Sequence, residues 1–268
     1  MLFAGLELAR RIEAAEVRLS METAGVHARL YPDKGAASEA VAGGCATYVG
    51  VGSPLTHALG LGVNGPLSER EIERIEEFYR SRGAAAELVL CPLADHSLLE
   101  VLGPRGYRLK ELENVLARPL AKVEPAPQPP RGVKVRRAEA GDAERSARTV
   151  AGAFLEGREI GPDAIEMFSL VFHAPSAANF LAFVDGEAAA GAMAAMHGGV
   201  AAFFGAGTLP RFRNRGLQTA LLYARLESAA AAGCDLAVVT TRPGATSQRN
   251  AERLGFRVVY TRFVMLRE

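Results

Sequence analysis

Leu209-Pro210-Arg211-Phe212-Arg213-Asn214-Arg215-Gly216-Leu217-Gln218-Thr219-Ala220 is a basic bend between two regular elements. Before it runs Ala201-Ala202-Phe203-Phe204-Gly205-Ala206-Gly207-Thr208, an apolar strand-like stretch, and after it a helix-like run continues through Leu221, Leu222 and Leu226 to Glu227. The first backbone N–H groups of a helix lack internal acceptors, and the helix dipole adds partial positive charge there. Arg211, Arg213 and Arg215 add full charges on the same side. The guest that suits such a bend is a phosphate or pyrophosphate.

The order of elements narrows the guest. No Gly-x-x-x-x-Gly-Lys-Ser/Thr is present, and Gly216 lacks the further glycines of a dinucleotide fingerprint. Downstream come Gly233, the buried-strand run Leu236-Ala237-Val238-Val239-Thr240-Thr241 and a turn-rich stretch from Arg242 to Thr246. A short helix from Ser247 to Leu254, then Gly255-Phe256 and a β-rich run from Arg257 to Met265 follow. Arg213-Asn214-Arg215-Gly216-Leu217-Gln218 fits the pattern Arg/Gln-x-x-Gly-x-Gly/Ala except at its last position. In this motif and in the order of strand, basic loop, helix, strand, Asn-containing helix, Leu-Gly-Phe and strand, the chain resembles the GNAT superfamily of acyl-CoA-dependent N-acetyltransferases. The resemblance covers roughly the second half.

Composition bounds the alternatives. The chain has 268 residues, 49% hydrophobic and 23% charged, with a formal net charge of +1. These are globular values with room for a sizeable core, and they give no global electrostatic case for nucleic acid or an anionic membrane. Cys45, Cys91 and Cys234 are odd in number and far apart, which fits reduced thiols in a cytoplasmic protein. His27, His57, His96, His173 and His197 show no metal-ligand spacing, so no metal is expected. The N-terminus runs quickly into Glu7, Arg10 and Arg11 and does not read as a signal peptide. The apolar region from Ala177 to Gly207 is broken by Asp185, Glu187, His197 and glycines, so it reads as strands rather than a membrane span.

The proline-rich stretch at residues 121–132 marks a boundary. After it, Val133 to Ala138 alternates as a strand, and Gly141-Asp142-Ala143 starts a helix toward Phe154. The runs Asn179–Val184 and Ala188–Met196, joined at Asp185-Gly186, read as a hairpin. The first half repeats the rhythm of the second. Gly83 stands to Ser97 as Gly233 stands to Ser247, and the strands Leu112–Leu120 and Val258–Leu266 close the two copies. The fold expected is α+β: two tandem GNAT-like lobes, each a mixed, mostly antiparallel twisted sheet flanked by helices. A degenerate lobe would span 1–120, a connector 121–132 and an acetyl-CoA-binding domain 133–268. In the first lobe Ser68 and Glu71 form a capping box, and Glu69, Glu71 and Glu73 put negative charge where a pyrophosphate needs positive charge.

The resemblance implies how acetyl-CoA, as co-substrate, would lie. Gly207, Thr208 and Leu209 would offer backbone to the pantetheine arm from a strand that splays from its neighbour. Arg213, Asn214, Arg215, Gly216, Leu217, Gln218 and Thr219 would hold the pyrophosphate, and Asn250 would bond the pantetheine arm, with Ser247 as a helix cap. The implied reaction is direct attack of a primary amine, from a small molecule or peptide, on the thioester. Many members carry a Tyr, as acid, where this chain has Ala251. Tyr260 or Tyr223 could substitute, Glu156 or Glu159 could serve as base directly or through water, and water could serve for both protons. Two further readings stay open, a non-catalytic CoA-binding sensor or regulatory module and a tandem-lobe interaction protein. A homodimer is compatible with all three.

Overall fold

Leu8, Ala9, Ile12 and Ala15 recur at helical spacing and form the buried stripe of α1 (Leu6–Leu30). In the computed structural model, which describes residues 2–121, 127–156 and 158–268, this helix belongs to the first of two compact units. The first unit gathers the chain up to Ala117 together with Thr240–Ala251 and Phe256–Glu268; the second holds Arg118–Val239 and Glu252–Gly255. The connector expected at 121–132 falls partly, at 122–126, outside the described residues.

The first unit contains β1 (Ala37–Val41), β2 (Gly44–Tyr48), β3 (His57–Leu59), α2 (Glu69–Arg80), β4 (Ala86–Leu90), α3 (Ser97–Leu102) and β5 (Arg108–Pro119) as far as Ala117. Its sheet order is β1-β2-β3-β4-β11-β5, where β11 (Arg257–Arg267) is the last strand of the chain. Neighbours are antiparallel except β3 and β4, which run parallel. Period-two alternation sorts the sheet's side chains between two cores. Cys45, Leu59, Val89 and Val264 meet Val17 and Met21 of α1. Ala46, Ala58, Leu88 and Leu90 meet Ile72, Ile75 and Phe78 of α2 and Leu98 and Leu102 of α3.

The second unit contains β6 (Val133–Arg137), α4 (Ala143–Leu155), α5 (Pro162–Phe172), β7 (Ala177–Val184), β8 (Glu187–His197), β9 (Val200–Thr208), α6 (Leu217–Ala231) and β10 (Leu236–Thr241) as far as Val239. Its order is β10-β9-β8-β7-β6, again antiparallel except for one parallel pair, β9 and β10. The hairpin turn read from Asp185-Gly186 is present, with both residues in the left-handed region (φ 49° and 88°). The alanine-rich β8 is buried along most of its length, and its small side chains let α4 come close: a Cβ at Gly191 would lie 2.7 Å from Val150 Cγ2. Asp142 anchors the start of α4, accepting from Arg136 at 2.6 Å, Arg145 at 2.8 Å and the Glu139 N–H at 3.0 Å.

These sheets are the mixed, mostly antiparallel, helix-flanked sheets of the expected fold class. The compact units do not follow the 1–120 and 133–268 division, however. β11 lies between β4 and β5 in the first unit, and α7 (Thr246–Arg253) lies there too as far as Ala251. The reason is chemical as well as topological. Arg262 of β11 is 2% exposed and donates to Glu13 of α1 from Nη2 at 2.8 Å and Nε at 3.0 Å, and it also pairs with Glu16. A buried cation requires a buried anion, and α1 supplies it.

Candidate functional site

The strand expected to carry the acyl donor has two irregularities. β9 pairs with β10 only from Val200 to Phe203, against Leu236 to Val239. β9 itself continues to Thr208 on its other side, where Ala190 is its partner. The ladder with β10 therefore stops in mid-strand. Between the pairs Gly191↔Gly207 and Met193↔Phe204, β9 also carries one more residue than β8. Gly205 sits in this bulge at φ 56°, with a Cβ position 3.0 Å from Met193 Sδ. A bulge with a left-handed glycine re-aims the backbone locally. Gly207 is held open from the other side, since a Cβ there would meet Ala153 Cβ at 2.6 Å.

The bend after β9 is exposed and built on two left-handed residues, Asn214 (φ 62°) and Gly216 (φ 73°). Gly216 is the N-cap of α6, and among the described residues no side chain caps that helix. Its first-turn N–H groups are thus left to an outside acceptor, which favours an anion. Gln218, where the motif has a small residue, donates from Nε2 to Thr208 Oγ1 at 2.8 Å. It neither turns outward nor lies ready for a phosphate; it ties the first turn of α6 to the end of β9. Leu217 is buried, and Thr219 is exposed on the same turn. The Leu209 N–H donates to Ala189 O at 2.9 Å, and its side chain approaches Gly152.

The three arginines are not equivalent. Arg211 pairs with Glu187 and lies over the Phe212 ring. Arg213 donates from Nη2 to Glu156 Oε1 at 2.8 Å, and its Nε reaches Thr208 O at 3.4 Å. Arg215 has no carboxylate partner among the described residues and lies 5.7 Å from the Phe212 ring centroid. Charge available to a ligand is therefore concentrated on Arg215 and on the backbone of the bend. Glu156 is exposed, caps the end of α4 in the left-handed region (φ 47°), and stands at the bend because Arg213 reaches for it. Glu159 is exposed as well.

Asn250 and Tyr260 belong to the first unit. Asn250 is half-buried on α7, and Ser247 is the second residue of that helix rather than its cap. Tyr260 is buried, and its hydroxyl donates to Glu13 Oε1 at 2.9 Å. Burial, with the neighbouring Glu13, pushes its phenol well above the ordinary value. A hydroxyl already donating to a buried carboxylate is spent, which corrects the expectation of Tyr260 as an acid. Tyr223 is half-buried in the middle of α6.

Sequence reasoning missed the Gly205 bulge, although a glycine inside a strand pattern was the available signal. It also missed α5 and the aromatic pair Phe154–Phe168, whose rings lie 5.6 Å apart; Phe154 is 52% exposed beside Gly207. The three cysteines are buried free thiols. Among the described residues no group of histidines, cysteines and carboxylates is placed to hold a metal ion, and no helix is long and apolar enough to cross a membrane.

A parallel pair whose ladder stops in mid-strand, a bulge in β9 and a basic helix start follow one another in this order. Residues 148–256 match the acetyltransferase (GNAT) family. This segment is a GNAT acetyltransferase domain. Solved structures share the fold at low identity. A GCN5-related N-acetyltransferase from Kribbella flavida is 20% identical with a TM-score of 0.70, over 96% of this chain and 95% of that one. A GCN5-related N-acetyltransferase from Sphaerobacter thermophilus is 19% identical with a TM-score of 0.59, over 79% and 71%. A tandem GNAT protein from the clavulanic acid biosynthesis pathway is 15% identical with a TM-score of 0.58, over 79% and 73%. The sequence has no match among curated proteins. The GNAT match supports acetyl transfer with acetyl-CoA as donor in general terms.

Proposed function

We propose that this protein transfers the acetyl group of acetyl-CoA to a primary amine of a small molecule or peptide by direct attack. The observation that carries the reading is the pairing of an uncapped, arginine-bearing helix start with a strand whose ladder ends four residues into its run, Val200 to Phe203. The residues fit the donor. Arg215 and the N–H groups at the start of α6 would hold the diphosphate. The edge of β9 past Phe203 would hold the pantetheine arm and offer donors to the thioester oxygen as negative charge builds there. We assign the donor site to the repeat at 133–268, the connector to 121–132, and a structural role to the degenerate repeat at 1–120.

Acetyl-CoA brings an activated acyl group, so the chain needs to orient reactants and let the ammonium nitrogen shed two protons, one of which the leaving thiolate replaces from solvent. The amine nitrogen bonds to the carbonyl carbon and the C–S bond breaks. One ammonium proton goes through water to Glu156, the second leaves the nitrogen of the tetrahedral intermediate to solvent, and the thiolate takes a proton from solvent. Water suits the last role because Ala251 carries no acid and Tyr260 is engaged with Glu13.

Calorimetry with acetyl-CoA tests binding, and thiol release in the presence of a panel of primary amines tests turnover. Binding in the micromolar range and amine-dependent thiol release are expected. Binding without release from any amine would favour a CoA-binding regulatory module, while absence of binding would remove the donor site altogether.

A further inference from the structure

Two residues singled out on separate grounds, Arg213 of the basic bend and Glu156 at the end of α4, are joined by an ion pair at 2.8 Å. Their side chains are 43% and 63% exposed, so the pair is held loosely and can exchange partners. Arg213 is fixed near the bend by its own surroundings too: Nη2 lies 3.5 Å from Ala153 O and Nε 3.4 Å from Thr208 O. Glu156 keeps a left-handed backbone at φ 47°, a conformation for which helix ends usually employ glycine. Non-glycine residues in that region persist where the surroundings hold them, and they cluster at functional sites. Arg213 is the partner present here.

We infer that Arg213 is shared between two anions, Glu156 in the donor-free protein and the diphosphate of acetyl-CoA in the donor complex. Donor binding thereby releases the Glu156 carboxylate, whose charge then draws a cationic amine toward the loaded donor. This rests on the proposed acetyltransferase function and adds an order to it. Before the donor arrives, the carboxylate is neutralised and has little attraction for an ammonium group. Once the diphosphate draws the guanidinium, Glu156 stands without its counter-ion at the end of α4, next to the bend. The negative charge that attracts an amine appears only when there is an acyl group to accept. By linkage, the pair must also oppose donor binding, because the guanidinium has to leave Glu156 first.

The linkage gives a test that needs no knowledge of the acceptor. Acetyl-CoA affinity is measured by calorimetry for the wild type, Glu156→Gln, Arg213→Gln and the double variant. Glu156→Gln is expected to bind acetyl-CoA about two- to fivefold tighter, the range for releasing one exposed ion pair. Arg213→Gln is expected to bind more weakly, and in that background Glu156→Gln should leave affinity unchanged. Equal affinity of Glu156→Gln and wild type would overturn the sharing. So would an equal tightening with and without Arg213, since Glu156 would then act only through its general field. Failure of the wild type itself to bind acetyl-CoA would instead sink the proposed function, which keeps the two outcomes separate.

Discussion

Helices α2 and α6 each connect a parallel strand pair, β3 with β4 and β9 with β10, and their starts have opposite chemistry. At α2 the Ser68 hydroxyl accepts from the Glu71 N–H at 3.3 Å, and Glu71 Oε2 accepts from the Ser68 N–H at 2.8 Å. Arg105 then gathers Glu69 and Glu73 at 3.4 Å and Glu76 at 3.1 Å, so the acidic face of α2 is neutralised from within. At α6 no side chain caps the helix, and Arg215 has no carboxylate among the described residues. The strands differ in the same sense. In the first unit the loop after β3 is tied to the loop after β4, with Asp95 N–H donating to Gly62 O at 2.8 Å and Leu67 N–H to Ser97 Oγ at 2.9 Å. In the second, β9 runs on past its last pairing with β10. If the start of α6 is the ligand site proposed, it is one because the chain leaves its own donors unsatisfied there. Arginines alone do not make one, since Arg105 and Arg211 are both consumed by local carboxylates.

If the first unit is framework, its interior should be the most sensitive part of the molecule. Glu13 is buried and accepts from Arg262 and Tyr260, and burial holds its carboxyl above the usual range despite Arg262. Glu13→Ala leaves Arg262 buried with only Glu16, and breaking such a pair costs about 3–5 kcal/mol. Chemical denaturation should show a loss of that size, and a loss below about 1 kcal/mol would mean that the Glu13–Arg262 link is not what holds β11 against α1. The next effect is on the ligand. Arg215→Glu should weaken acetyl-CoA binding about a hundredfold, because repulsion replaces a charge-assisted contact. Arg105→Glu, the matching change in the first unit, should lower stability and leave that affinity within about twofold. Equal loss from both variants would show that the two helix starts are not the opposites described here.

Much of this contrast was legible in the sequence, and the reasons are local. A capping box is a short-range pattern, so Ser68 and Glu71 announced the closed helix start. The basic bend, the Asp185-Gly186 hairpin and the alternating strands of the second half are likewise set within a few residues. What escaped depended on distant contacts. Nothing near Arg262 indicates that it is buried against Glu13, because the partner is supplied by α1 from the opposite end of the chain. The unit that β11 joins was unreadable for the same reason. Gln218 looked like a defect in the motif until its bond to Thr208 gave it a place. Arg213 and Glu156 were each visible as charges, and their pairing was not.

The smallest effect bears on the closed helix start itself. Ser68→Ala removes the hydroxyl from the capping box and should cost about 1 kcal/mol, with acetyl-CoA affinity unchanged. Its pH dependence identifies the cause. Bonds from the Ser68 hydroxyl and N–H hold the Glu71 carboxyl below its ordinary value. The unfolded chain then binds that proton more readily than the folded one, so the contribution of the box is whole above the unfolded-state carboxylate pKa. As pH falls through the lower, folded-state pKa, the contribution is lost. The stability difference between wild type and Ser68→Ala should therefore be constant near neutrality and shrink in acid below about pH 4. A difference that stays constant down through the carboxylate range would mean that the helix start is closed by backbone geometry rather than by this charge. The contrast with α6 would then rest on the strands alone.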